Sequence, residues 1–138
     1  MDETALYNDR VELYDAIYHW KDYDAESRRL IDLLTAEGVP RGARLLQAAC
    51  GTGKHLAVLR EHYDVAGFDR AEGMLRHARE RLPGAHLFQA DMTDFEAPYP
   101  CDALLCLFSS IGYLTTAEAL AAAARRFAAA LNLSLIHI

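Results

Sequence analysis

With 138 residues, 52% hydrophobic and 25% charged, the chain has the size and composition of one globular domain able to bury a core. Its formal net charge of −6 argues against a nucleic-acid backbone as partner, because such binders carry a basic face. No apolar run approaches the roughly 18 to 20 residues of a membrane span, which argues against a membrane partner.

The three cysteines, Cys50, Cys101 and Cys106, are odd in number and lack Cys-x-x-Cys spacing, so neither a disulfide framework nor a zinc site is indicated, and no metal is expected. The acidic start Met1-Asp2-Glu3-Thr4 has no basic region followed by an apolar run. A protein of the reducing cytoplasm is the expectation.

In chain order, apolar and aromatic side chains at Val11, Leu13, Tyr14, Ile17, Tyr18 and Trp20 follow helical rather than strand spacing and predict a helix over 11–20. Asp22 or Asp24 can cap a second helix running to about Ala36, with Leu30, Ile31, Leu33 and Leu34 as its buried stripe; Gly38 and Pro40 end it. From Ala43 onward, short apolar runs alternate with helical segments, the pattern of βα units and a parallel sheet. Strands are predicted over 44–48, 65–69, 85–89 and 103–108. Helices are predicted over 54–62, 71–82 and 116–131, the last on its alanine content. Arg70, Arg76, Arg79 and Arg81, interleaved with Glu72 and Glu80, read as a solvated helix face. The expected fold class is α/β, a Rossmann-like doubly wound parallel sheet of four strands behind N-terminal helices. Residues 131–138 lack the Gly or Pro turn that would lead into a further strand, and read as a short fifth strand or as a foreign or truncated end. The chain therefore divides into an N-terminal helical segment or lid (1–42), a Rossmann-like core (43–130) and an atypical tail (131–138).

The stretch from Leu45 to Leu56 reads as strand, small-residue turn and helix, a geometry that aims backbone N–H groups into a crevice. A phosphate loop needs Gly-x-x-x-x-Gly-Lys-Ser/Thr, but Ala48 stands at the first glycine and His55 at the hydroxyl. A dinucleotide fingerprint beginning at Gly51 and Gly53 meets Leu56 where close helix packing wants glycine. Asp69, at the end of the second predicted strand, suits a dinucleotide or another nucleoside, because a carboxylate beside two vicinal ribose hydroxyls makes charge-assisted bonds. A helix cap is its plainer role, and an NAD-binding oxidoreductase remains the less favoured alternative.

Gln47-Ala48-Ala49-Cys50-Gly51-Thr52-Gly53, Asp69, Gly73-Met74-Leu75, Asp91-Met92 and Phe108-Ser109-Ser110 together resemble class I S-adenosylmethionine-dependent methyltransferases, over residues 45–113. The runs 49–55 and 108–114, with Lys21-Asp22-Tyr23, are more narrowly similar to the amino-sugar N,N-dimethyltransferases of macrolide biosynthesis. The resemblance implies a seven-stranded sheet, of which this chain would hold an incomplete part, and S-adenosylmethionine as cofactor, with S-adenosylhomocysteine as product.

It also implies roles for particular residues. The turn of Ala49, Cys50, Gly51 and Gly53 would approach the cofactor. Asp91 would accept from the adenine amino group and the Met92 N–H would donate to a ring nitrogen, against the alternative of an Asx-turn. Met74 would pack on adenine or simply fill core. Phe108 would form the floor beside the sulfonium, against plain core packing, and Tyr14 and Tyr23 would close as a lid, one hydroxyl reaching the cofactor carboxylate, against simply packing the N-terminal helix to the sheet. At Gln47 the family usually has an acid that helps hold the cofactor ammonium; an amide offers an acceptor without the charge. At Ala49 it usually has glycine. No catalytic residue is identified: His55 and His19 are no more than candidate bases, Asp22 reads as a cap, His55 is expected to be partly buried, and Lys54 solvated. A base-poor site suits an amine acceptor. The alternative is a truncated or degenerate, non-catalytic domain.

Overall fold

The computed structural model describes residues 3–132. Two short helices, α1 (Glu3–Asn8) and α2 (Val11–Ile17), precede α3 (Tyr23–Ala36). The core then runs β1 (Arg44–Ala48), α4 (Lys54–Leu59), β2 (Asp64–Asp69), α5 (Glu72–Arg81), β3 (His86–Gln89), β4 (Ala103–Cys106), a 3₁₀ turn (Ser110–Tyr113) and α6 (Ala117–Ala130). The four strands are parallel in the order β3-β2-β1-β4, with Leu46 opposite Ala66 on one side and Leu104 on the other. The order reverses between β1 and β4, and that reversal opens a crevice at their carboxyl ends.

Strand alternation feeds two cores. Leu45, Val65 and Leu105 face α3, α4 and α5 through Leu34, Leu56, Leu59, Leu75 and Leu82. Leu46, Ala66, Phe68 and Leu104 face α6 and the β3–β4 connection through Ala123, Phe127, Met92 and Phe95. Burial on both faces explains why these strands read as continuous apolar runs. Gly67 lies where a side chain would meet Leu56 and Cys50, so the closeness of α4 to the sheet depends on it.

The predicted architecture holds, with differences that have local causes. The first predicted helix stops at Ile17 rather than Trp20, because Val11, Tyr14 and Tyr18 turn inward while Trp20 stays 69% exposed. In α3, capped by Asp22 accepting the Ala25 N–H, the inward stripe is Ser27, Leu30, Ile31 and Leu34. That i, i+3, i+4, i+7 set leaves Leu33 off the face and 49% exposed, so its placement in the stripe is corrected. Helix α4 ends three residues early, at Leu59, where residues 60–63 turn the chain into β2. β4 ends at Cys106 because Phe108 and Ser109 take left-handed backbone, φ 56 and 58, and swing the chain into the 3₁₀ turn. Of the predicted fifth strand, the described part is one parallel bridge, Leu131 to Cys101; residues 133–138 lie outside the described residues.

Helices α1 and α2 are too short to persist alone and depend on docking. Val11 joins Met74 and Ala71 in a small core flanked by Tyr7 and Tyr14, the Asn8 side-chain oxygen accepts the Gly73 N–H at 3.0 Å, and a Cβ on Gly73 would collide with the Asn8 backbone. Gly73→Ala is therefore expected to lift α1 from α5. Limited proteolysis should then cut within residues 3–20 several-fold faster with the β-sheet still intact by circular dichroism, and an unchanged cleavage rate would contradict the docking argument.

Candidate functional site

The cleft at the carboxyl ends of β1 and β4 is walled by Gln47, Ala49, Cys50, Gly51 and Thr52 from the first strand and its turn, and by Leu107, Phe108 and Ser110 beyond β4. Lys54 and His55 from α4 and Tyr14 and Tyr23 from the N-terminal helices complete the wall. The turn reaches this shape through left-handed backbone at Ala49 (φ 52), Gly51 (φ 58) and Gly53 (φ 80). At Ala49 that conformation costs about 1 kcal/mol, and such strain concentrates where a chain is held for a function. Gly53 caps α4 and packs so closely on α5 that a side chain there would strike Leu82.

Asp69 braces this turn from β2. Its Oδ2 accepts the Gly51 N–H and its Oδ1 the Ala71 N–H, both at 2.9 Å. Burial raises its pKa, and the N–H groups of Ala71 and Gly51 hold the rise back. Gln47 is 2% exposed, and its Oε1 is buried at the cleft wall with no hydrogen-bond partner among the described residues. An unmet buried acceptor carries a desolvation cost that a donor entering the cleft would relieve. Burial raises the Cys50 thiol pKa, so Cys50 stays a neutral wall residue.

The opposite wall comes from the N-terminal helices. Tyr14 and Tyr23 have pKa values raised first by burial, which keeps both hydroxyls protonated as donors. Tyr14 leads into an aromatic series, 4.8 Å from Tyr18, whose ring meets Phe108 edge-on at 5.0 Å. Lys21, whose side chain is 7% exposed, lies 3.8 Å over the Phe108 ring and 2.9 Å from Glu26. His55 Nε2 also lies 2.9 Å from Glu26. Burial lowers the His55 pKa against the pull of Glu26, so a neutral imidazole donates to the carboxylate. Burial works to raise the Glu26 carboxyl, but the bonds from His55 and Lys21 outweigh it and leave its pKa below the ordinary value. His55 is thus committed to joining α4 to α3, while His19, the other candidate base, turns its ring to the Ala16 carbonyl oxygen.

The structure brings together Tyr14, Tyr23, Gln47, Ala49, Cys50, Gly51 and Phe108 around one cleft, with Gly53 and Asp69 immediately behind the turn. Met74 lies in the small core beneath α2. Asp91 accepts from the Thr93 N–H and hydroxyl, the Asx-turn foreseen as its alternative, and pairs with Arg70 at 3.3 Å; Met92 packs in the second core. None of these three is in the wall.

One charged residue is corrected. Lys54 is not solvated: it pairs with Asp15 at 3.3 Å and lies 5.0 Å over Tyr23. Arg81 is exposed, as expected of its helix face, but its guanidinium also donates to the Thr52 carbonyl oxygen and approaches Asp15 at 3.8 Å. The sequence assigned no site role to Asp15, Lys21 or Glu26, Lys21 entering only as part of the Lys21-Asp22-Tyr23 run. The available signal was that Asp15 shares the inward i, i+3, i+4, i+7 face of α2 with Val11, Tyr14 and Tyr18.

A family model described as a methyltransferase domain matches residues 45–132. A dTDP-3-amino-3,4,6-trideoxy-alpha-D-glucopyranose N,N-dimethyltransferase of Streptomyces venezuelae is 45% identical over 87% of this chain and 52% of its own length. Among solved structures, Streptomyces venezuelae DesVI superposes with a TM-score of 0.84 at 41% identity, covering 91% of this chain and 54% of that one. The S-adenosylmethionine-bound amino pentose methyltransferase of calicheamicin biosynthesis from Micromonospora echinaspora gives 0.83 at 34% identity, covering 90% and 54%. The chain spans about half the length of the curated relatives it matches. The parallel sheet, its reversal at β1 and β4, and the turn over Asp69 agree with the family match, and the chain belongs to the methyltransferase domain family.

Proposed function

We propose that this chain binds S-adenosylmethionine in the cleft and forms the cofactor side of an enzyme that transfers a methyl group to the amine of a small sugar nucleotide. The observation that carries the reading is the orphaned Gln47 Oε1, a buried acceptor at the cleft wall that would receive the cofactor ammonium. Asp69, fixed at the tip of β2, supplies the carboxylate for the ribose hydroxyls, and Tyr14 and Tyr23 offer donors to the cofactor carboxylate. Asp91, Met92 and Met74 would hold the adenine; the first two follow β3, the strand next to β2 in the sheet.

The cofactor supplies an electrophilic methyl on a sulfonium. The chain's own part is to orient it and exclude water, which proximity and orientation can make the larger share of such catalysis. Phe108 and Leu107 supply the apolar floor. An amine acceptor is supported by the names of the relatives and by His55 being tied to Glu26 instead of free to take a proton. The three free thiols and the acidic composition accord with a cytoplasmic protein acting on a small molecule.

Titration calorimetry tests the reading. S-adenosylhomocysteine is expected to bind and NAD to give no heat. Heat with NAD alone would overturn it, and heat with neither would favour a degenerate, non-binding domain. Gln47→Asp, which places a charge opposite the ammonium, is expected to tighten S-adenosylhomocysteine by roughly fivefold, since a charge-assisted bond is about twice as strong as a neutral one. An unchanged dissociation constant would remove Gln47 from the site.

A further inference from the structure

The inward face of α2 carries one charge among apolar and aromatic neighbours. Asp15 stands between Tyr14 and Tyr18 on that face, its side chain 22% exposed. Its Oδ1 accepts from the Thr52 hydroxyl at 3.1 Å and lies 3.3 Å from Lys54 Nζ, and its Oδ2 lies 3.8 Å from the Arg81 guanidinium. Arg81 also donates to the Thr52 carbonyl oxygen. One carboxylate thus meets the glycine turn, the first residue of α4 and the last residue of α5. A half-buried carboxylate is costly unless paired, and here two cations and a hydroxyl pair it.

We propose that Asp15 is a positioning residue for the cleft, clasping α2 onto the glycine turn so that Tyr14 is held across the opening before any ligand arrives. The inference rests on the cofactor reading of the cleft and goes beyond it, because Asp15 is not itself in the cleft wall. The clasp acts through order. Helix α2 has seven residues and cannot hold its shape unaided, so without the clasp a ligand would have to fix α2, Tyr14 and the turn at the cost of its own affinity. The clasp thus engages two residues of the Gly-Thr-Gly-Lys sequence, the lysine and the threonine hydroxyl, with a carboxylate of the same chain.

The test measures S-adenosylhomocysteine binding by calorimetry at about 50 and 500 mM salt, where ion pairs are screened to different extents. Asp15→Asn keeps an acceptor for Thr52 and loses both ion pairs. It is expected to weaken binding by about tenfold at low salt and to flatten the salt dependence seen with the unaltered chain, with Asp15→Glu recovering part of the loss. Arg81→Gln should also weaken binding, and the double variant should be no weaker than Asp15→Asn alone, because both act through one clasp. Equal affinity and equal salt dependence in Asp15→Asn and the unaltered chain would overturn the proposal. If the unaltered chain binds no S-adenosylhomocysteine, the functional reading fails separately. Hydrogen exchange then decides the clasp: faster exchange over 11–17 in Asp15→Asn with β1 unchanged supports it, and unchanged exchange overturns it.

Discussion

Replacing Asp69 by alanine is expected to weaken S-adenosylhomocysteine binding by at least about a hundredfold. Two contributions add. The carboxylate is the acceptor proposed for the ribose hydroxyls, and hydrogen bonds to a charged group are worth roughly 1.5 to 3 kcal/mol each, against 1.4 kcal/mol per decade of affinity. The same carboxylate accepts the Gly51 and Ala71 N–H groups, so its loss also frees the turn that faces the ligand. Asp69→Asn separates the two contributions, because one amide oxygen can still brace the turn while the charge is gone; an intermediate loss is expected. The reaction to pH follows from the same burial. Since the Asp69 carboxyl titrates above its ordinary value of 3.8, affinity should begin to fall at a higher pH on acidification than an exposed aspartate would allow. Calorimetry checks both, and an Asp69→Ala variant within about threefold of the unaltered chain would remove Asp69 from the binding site.

The largest loss of stability is expected from Phe68→Ala. Phe68 lies on β2 at 1% exposure, stacked on Phe95 with ring centroids 4.4 Å apart and tilted against Phe88 at 5.3 Å. Truncating a buried phenylalanine removes its transfer energy and leaves a cavity, together about 3 to 5 kcal/mol. Whole domains are stable by about 5 to 15 kcal/mol, so roughly a fifth or more of the margin is at stake. At this size the melting temperature should drop by roughly 10 to 20 °C, whereas Phe68→Leu, which keeps most of the volume, should lose only a few degrees. Calorimetric melting measures it. A fall under about 3 °C for the alanine variant would mean that the second core does not depend on Phe68.

The elements that the sequence made legible are those whose signals are local. β1 and α3 fall where their runs place them, because Leu45, Leu46 and Ala48 mark the strand within Arg44–Ala48 and Asp22 caps the helix in its own first turn. The Gly51-Thr52-Gly53 turn and Asp69 at the end of β2 were legible for the same reason: a tight turn and a strand end each leave a mark within a few residues. The ends of elements were less legible. Nothing in Leu107-Phe108-Ser109 announces left-handed backbone, and β4 stops at Cys106 because the chain must turn there over the cleft.

The charges were least legible. Asp15 meets Thr52, Lys54 and Arg81 across separations of 37, 39 and 66 positions (52 − 15, 54 − 15 and 81 − 15). No periodicity within one helix can show which cation a carboxylate will meet on another. Taken singly, Lys54 and Arg81 look like any solvated side chains; only the docking of α2 against the turn makes them partners. By itself, then, the sequence determined the parallel α/β sheet, the glycine turn and the acid at the tip of β2, because apolar periodicity and turn chemistry act over a few residues. The tertiary structure alone decided that Lys21 covers Phe108, that His55 is held by Glu26 and that Asp15 clasps the turn, because the energy of a charge depends on what packing brings within about 4 Å of it.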